Sequence, residues 1–341
     1  MNEGSRGAKT TVPGPVLDGL KGGQKFVITT HLQPDGDAVG SALGLSLGLE
    51  SAGKEVTLVA ADPLPPRYAF LKRFRPWFKP DDVSGFYDAA IFVDCTDPER
   101  AGGGKGISEL ARMVINIDHH VSNSGFGDVK YVDAKVSAVG EQVFYLLKEL
   151  GVQVDPVVAT CLYTAISTDT GSFRYENTGV ETHRVVAELL ELGADTRLVV
   201  EKVYEEKSLS ALMLLGQSLC TLRTTAGGQI AWMWVTRSML EKCGAREDES
   251  DGIINYASSV EGVEIGILFR EAAGGRIKVG LRSRKKVDVS ELAMVLGGGG
   301  HPRAAGCWLE GEKREVEKKV LDLAEKLVDQ GKDGDLKWMG Y

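Results

Sequence analysis

At 341 residues, with 43% hydrophobic and 26% charged side chains, the chain is long for a single core and too apolar for intrinsic disorder, so two folded domains are expected. A formal net charge of −8 repels long nucleic acid, so an anionic substrate must be held locally, and short RNA or nucleotides fit better than long duplexes. The segment MNEGSRGAKTTVPGP lacks the apolar core of a signal peptide and reads as a frayed arm, and no run of ~18 uncharged apolar residues suggests a membrane span, which points to the cytoplasm.

In chain order, KFVITT (25–30) reads as a strand and the stretch from Ala38 to Ser51 as an amphipathic helix. VTLVA (56–60), AAIFVDC (89–95) and MVINID (113–118) are further β-branched runs. Such near-continuous apolar runs suit a parallel sheet buried on both faces, with helices such as 137–150 packed against it. Residues 1–195 form this first α/β domain. The stretch TRLVVEKVYEEKSLSALMLLGQSL has no Gly or Pro until Gly216, so 196–219 is expected to be a helical linker. Beyond it, QIAWMWV (229–235), VEIGILF (263–269) and RIKVGLR (276–282) read as strands, the last two separated by the turn signal AAGGR, and REVEKKVLDLAEKLV as an amphipathic closing helix. Residues 220–330 are therefore expected to be a smaller mixed α/β domain, with the active site in the cleft between the two. Five singly scattered cysteines, Cys95, Cys161, Cys220, Cys243 and Cys307, argue against a disulfide framework or a zinc knuckle.

Polar groups gather where strands end. His31, Asp35 and Asp37 follow KFVITT directly, and a sharp turn at Gly36 can aim all three at one volume. Taken alone, PDGD would be an Asx turn capping the next helix. Asp94 ends AAIFVDC, where a cap and a ligand are equally good readings. Asp118, His119 and His120 follow MVINI in the same way, and adjacent histidines are hard to explain as core packing. Asp169 opens a Thr, Gly and Ser-rich loop after an apolar stretch. His183 lies in a helical pattern and is taken as structural.

Carboxylates crowded together repel unless a cation holds them. A His/Asp donor set without thiolate favours Mn²⁺, with Mg²⁺ as the alternative, over a structural zinc. Two such ions sharing one carboxylate would activate water and clamp phosphoryl oxygens, so hydrolysis of a phosphate ester follows.

HLQPDGDAVGS, VDCTD, DHH and STDTG resemble the four consecutive motifs of the DHH phosphoesterase superfamily. The resemblance implies that His31, Asp35 and Asp94 hold one ion. Asp37, Asp94, His119 and Asp169 would hold the other, with Asp94 as the bridge. His120 would contact the scissile phosphate or leaving group, and Asp118 would orient the histidine pair. The run Gly297 to Gly300 followed by HPRAAG, preceded by GLRSR, is similar to the DHH-associated C-terminal domain of oligoribonucleases and cyclic-dinucleotide-linked phosphodiesterases. It makes Arg282, Ser283, Arg284, Gly299, Gly300, His301 and Arg303 candidate substrate contacts, although a lone GGGG would be a flexible loop. The basic string SRKK (283–286) is shared with family II inorganic pyrophosphatases, which lack the Gly-rich element, so a nucleotide substrate ranks above pyrophosphate. Length and layout are closest to the nanoRNase and pAp-phosphatase type. This type hydrolyses short oligoribonucleotides to mononucleotides and dephosphorylates 3′-phosphoadenosine 5′-phosphate, cyclic di-AMP or pApA being the alternative substrates. The assembly is left open, a homodimer included.

Overall fold

A computed structural model describes residues 10–72, 75–101, 104–225, 227–284 and 287–330. They divide into two compact units, 1–206 and 207–341, so the stretch 196–219 is split between them. Among the described residues no helix is long and apolar enough to cross a membrane.

The first unit is built on a five-stranded parallel sheet. Its strands are β1 (Lys25–Thr29), β2 (Glu55–Val59), β3 (Ala89–Val93), β4 (Val114–Asp118) and β5 (Val129–Val132), in the order β2-β1-β3-β4-β5. The four expected apolar runs are the four inner or longer strands. β5 escapes sequence pattern because it is a four-residue edge strand in which only Tyr131 is buried. Alternate residues serve opposite faces: Phe26, Ile28, Ile91 and Val93 enter one core cluster, Val27, Ala90 and Phe92 the other. Both faces are therefore covered, as a parallel sheet requires.

The helix Gly36–Ser51 corrects the amphipathic expectation, since 13 of its 16 residues are buried. Its glycines at 40, 44 and 48 lie one turn apart and let it approach two other helices, Pro156–Asp169 and Val139–Glu149, at backbone distance. A Cβ on Gly40 would stand 2.4 Å from the Cys161 carbonyl oxygen, one on Gly44 2.6 Å from Leu162 and one on Gly48 2.5 Å from Leu147. Gly40→Ala must push two backbones apart, so it should destabilise the protein by ~1–3 kcal/mol. Gly216→Ala, on a helix where nothing lies within 4 Å, should instead be neutral or stabilise by up to ~1 kcal/mol. Urea denaturation of both variants checks the contrast, and equal midpoints would refute it.

Of the N-terminal arm, residues 1–9 lie outside the described residues. The rest is anchored: Thr10 Oγ1 donates to Asp133 at 2.8 Å and accepts from the Tyr131 hydroxyl. A helix follows at Gly14–Gly22, with Pro13 before it and Pro15 in its first turn. The expected continuous linker helix is broken. Thr196–Val199 passes into a wider π-helical turn, Val200–Glu205, and a new helix, Leu209–Leu219, starts at Ser208, whose hydroxyl caps the Ala211 amide.

The second unit carries a six-stranded mixed sheet of β6 (Arg223–Thr224), β7 (Ile230–Val235), β8 (Ile265–Glu271), β9 (Arg276–Ser283), β10 (Gly299–His301) and β11 (Ala304–Glu310). The order is β10-β11-β9-β8-β7-β6, with only β7 and β8 parallel. Three of these strands were expected, whereas β6 and β10 are short and β11, AAGCWLE, mixes small, apolar and charged residues. The helices Val289–Val295 and Lys313–Gln330 cover one face. Leu214 and Ile254, from the helices Leu209–Leu219 and Ile254–Ser258, pack on the other.

Candidate metal centre

Parallel strands end at one edge of their sheet, so residues that follow β1, β3 and β4 are neighbours. β1 pairs with β2 on one side and β3 on the other, and the crevice where strand order reverses is where α/β sheets bind ligands. His31 and Asp94 stand at that reversal.

Asp35 combines two roles that sequence reading held as alternatives. Its Oδ1 caps the helix Gly36–Ser51, accepting from the Asp37 and Ala38 amides at 3.1 Å each, and lies 3.8 Å from His31 Nε2. Asp37, 1% exposed, accepts from the amides of Val139 (2.7 Å) and Gly140 (3.1 Å) and from Ser41 Oγ (2.8 Å). Asp94 is held with φ of +57°, a left-handed conformation costly for a side-chain-bearing residue and characteristic of functional sites. It is 2% exposed. Its Oδ2 lies 3.6 Å from His31 Nε2, and its Oδ1 3.9 Å from His119 Nε2 and 3.4 Å from His120 Nδ1. His119 Nε2 is also 3.8 Å from Asp37 Oδ2 and 3.5 Å from Asp169 Oδ2.

Two adjacent groups result, His31/Asp35/Asp94 and Asp37/His119/Asp169, within each of which one donor atom per residue lies within 4.8 Å of the others. Asp94 completes the first and faces the second. A third such group is Asp94/His119/His120. These residues fit divalent ions by an observation independent of motif: Asp94 Oδ1 is buried and has no hydrogen-bond partner among the described residues. A buried carboxylate oxygen left so is costly unless a cation completes it.

Without metal, protons take the place of cations. Burial disfavours the His31 imidazolium, yet hydrogen bonding and charge from Asp35 and Asp94 outweigh it and hold the pKa up at about 11. His119 is likewise desolvated, but Asp169, Asp37 and Asp94 bring it to about 9. Burial pushes Asp169 up to about 7, with His119 opposing. Asp37 is raised well above the carboxylate range by burial and then by Asp94 and Asp169.

Asp118, at the end of β4 and fully buried, faces the histidine pair. Its Oδ1 accepts from the His119 amide (2.9 Å) and from His120 Nδ1 (2.8 Å). Burial opposes its ionisation, but hydrogen bonds from His120 and Asn123 pull its pKa below the usual value. Sequence reading missed Asn123, whose Nδ2 is 2.6 Å from Asp118 Oδ2 and 2.8 Å from Asn116 Oδ1. It also missed Asn116, which is fully buried and donates to the Cys95 carbonyl. A polar residue inside the apolar run MVINID was the available signal. His183 is exposed on the helix Val180–Glu191, its ring 5.6 Å from that of Phe173.

In the second unit the glycine run is neither a loop nor an open cradle. The Gly297 and Gly298 amides donate to Met294 and Ala293 carbonyls, ending the helix Val289–Val295. Gly299, Gly300 and His301 form β10, an edge strand whose outward backbone groups have no strand partner among the described residues. Gly300 has φ of +145°, and a Cβ there would stand 2.5 Å from Ala305 Cα, so only glycine permits this approach. Arg303 Nη1 donates to the Val287 carbonyl (3.1 Å) and lies 3.3 Å from Ser283 Oγ, which itself donates to the Pro302 carbonyl. Arg282 lies on β9 with Nη1 on its neighbour's carbonyl, and Arg284 is exposed just beyond. Lys285 and Lys286 of the SRKK string lie outside the described residues.

Comparison with known proteins agrees with this geometry. Residues 25–166 match the model of the DHH family N-terminal domain and residues 230–330 that of the DHHA1 domain. The chain is 38% identical over 299 residues to the bifunctional oligoribonuclease and PAP phosphatase NrnA of Thermus thermophilus, covering 87% of each chain. It is 28% identical to the protein of the same name from Bacillus subtilis, over 82% of this chain and 88% of that one. Among solved structures, an exopolyphosphatase-related protein from Bacteroides fragilis superposes with a TM-score of 0.87 at 28% identity, over 93% of this chain and 96% of that one. The chain therefore belongs to the DHH family, as a member that carries a DHHA1 domain behind its DHH domain.

Proposed function

We propose that this protein is a two-metal phosphoesterase that hydrolyses short oligoribonucleotides to mononucleotides and dephosphorylates 3′-phosphoadenosine 5′-phosphate. The observation that carries the reading is the convergence of His31, Asp35, Asp37, Asp94, His119 and Asp169 around an otherwise unsatisfied Asp94 oxygen. The names of the relatives from Thermus thermophilus and Bacillus subtilis support the substrates. His31, Asp35 and Asp94 would hold one ion, and Asp37, Asp94, His119 and Asp169 the other, Mn²⁺ ahead of Mg²⁺. When bound, the pair supplies a water of lowered pKa and neutralises phosphoryl charge.

The remaining work falls to the chain's own groups. Asp118, accepting from His120 Nδ1, fixes the imidazole so that Nε2 is offered to the substrate phosphate or its leaving oxygen. Asn123 holds the second Asp118 oxygen and so keeps that carboxylate from turning away. In the second unit Arg282, Ser283, Arg284, Gly299, Gly300, His301 and Arg303 are proposed to grip the nucleotide through forked guanidinium contacts and outward amides. The proposal includes a cytoplasmic location.

The test is a substrate panel with added Mn²⁺: 3′-phosphoadenosine 5′-phosphate, pApA, RNA of two to twenty-four nucleotides, cyclic di-AMP and pyrophosphate. kcat/KM should be highest on the bisphosphate and on di- to pentanucleotides. It should fall as RNA lengthens and depend weakly on salt, because few phosphates are contacted. Efficiency that climbs with length, with a steep salt slope, would replace this reading with that of a processive exonuclease.

A further inference from the structure

One face of the second unit's sheet carries a basic pocket in which Gly280, Arg282, Ala305 and Gly306 belong to the family motifs, whereas the cations Arg270 and Lys278 do not. Strand register places Arg270 on β8 directly opposite Lys278 on β9, and Lys278 opposite Trp308 on β11. Side chains two apart share a face, so Arg270, Lys278, Arg282 and Trp308 all project to the same side. A cavity of about 260 Å³ is lined by Arg270, Lys278 and Arg282, with Gly280 and Gly306 between the cations and Asp251 beside them, while Trp308 stands outside the lining, across from Lys278.

Like charges directly across a strand pair are destabilising. The Arg270 and Lys278 pair therefore needs compensating negative charge, which the chain supplies in part through Asp251 and Glu247. Asp251 is 57% exposed and lies 3.3 Å from Arg270 Nη1. Arg270 Nη1 also donates to Ser250 Oγ, but Arg270 Nε is buried with no hydrogen-bond partner among the described residues. Partial burial, followed by the charge of Arg270, lowers the pKa of the Lys278 amine, against the opposing charges of Asp251 and Glu247. On the neighbouring strand Trp308 is 47% exposed, its ring 5.6 Å from Lys278 Nζ and 5.0 Å from the Arg276 guanidinium. An exposed aromatic beside clustered cations is the pairing that holds a base and its phosphate.

We propose that this pocket binds a nucleoside monophosphate unit, with the phosphate between Arg270 and Lys278 and the base stacked on Trp308. The volume lies just under the range usual for small-ligand sites, ~300–1,000 Å³, so it takes one nucleotide and no longer tract. The choice of a nucleotide rests on the phosphoesterase reading; the anion site itself does not.

The experiment is equilibrium binding to the full chain in EDTA, using adenosine 5′-monophosphate and inorganic phosphate as probes, with thermal melting to confirm that each variant is folded. The wild-type chain should bind both. Lys278→Gln should weaken both about tenfold, as loss of one charge-assisted contact does, and Lys278→Arg should restore them. Trp308→Ala should weaken the monophosphate about tenfold and leave inorganic phosphate unchanged, since only the base stacks. Absence of monophosphate binding by the wild type, or equal affinity in Lys278→Gln, overturns the site. Equal losses of both probes in Trp308→Ala overturn the stacking. Metal-dependent turnover of a pentanucleotide tests the phosphoesterase reading separately, so either can fail alone.

Discussion

Asp94→Asn should lower kcat by at least about a hundredfold at saturating Mn²⁺, because Asp94, a member of two of the three donor groups, is proposed to bridge both ions and loss of a catalytic metal contact costs several kcal/mol. Asparagine is the informative replacement. It keeps the shape, and it tolerates the left-handed backbone at φ +57°, where alanine would add strain. The metal-free variant should melt no lower than metal-free wild type, since it removes one of several crowded carboxylates. A kcat above roughly a tenth of wild type would exclude the bridging role, and a large drop in the melting temperature would mean that unfolding explains the loss. His183→Ala, at an exposed position beside the Phe173 ring, should leave turnover unchanged.

The second expected result couples metal, protons and stability. In the metal-free state His31 and His119 have pKa values of about 11 and about 9, above the ordinary 6.5, and Asp169 about 7, above 3.8. In every case the folded chain binds more protons than the unfolded one between the two values, so stability falls as pH rises. Asp169 contributes this loss from pH ~4 to ~7, and the histidines from ~6.5 upward. The chelated protein should therefore melt at progressively lower temperature from pH 5 to pH 9. Metal ions require neutral imidazoles and ionised carboxylates, so Mn²⁺ should reverse that slope and bind more tightly as pH rises. Titration of the chelated chain with Mn²⁺ at pH 8 should release about one to two protons, read by calorimetry in buffers of different ionisation enthalpy. A flat melting profile together with no proton release would remove the proposed proton-for-metal exchange. Chelation should also abolish turnover, and Mn²⁺ should restore it.

Part of the candidate centre could be read from the chain because His31, Asp94 and His119 follow strands, while Asp35, Asp37 and Asp169 lie at helix ends. KFVITT, AAIFVDC and MVINID are apolar enough to be recognised as buried strands, and parallel strands deliver whatever follows them to one edge. That rule alone brings His31, Asp94 and the Asp118 to His120 run together without knowledge of pairing order. The sequence also determined the second unit's apolar strands β7, β8 and β9, whose patterns are local.

Tertiary structure decided what depends on a partner distant in sequence. The helix after His31 has no polar face, because glycines at 40, 44 and 48 gain meaning only against Cys161, Leu162 and Leu147. β5 and β10 are too short, and β11 too mixed, to announce themselves, since an edge strand is defined by its neighbour. The glycine run became a helix end and a strand through amides paired with Ala293 and Met294 and an approach to Ala305. Asn123 was indistinguishable from any loop asparagine until its amide met Asp118 and Asn116. Local periodicity thus specified which residues lie at the sheet's edge, while close packing, a non-local property, decided which oxygen and nitrogen atoms face one another there.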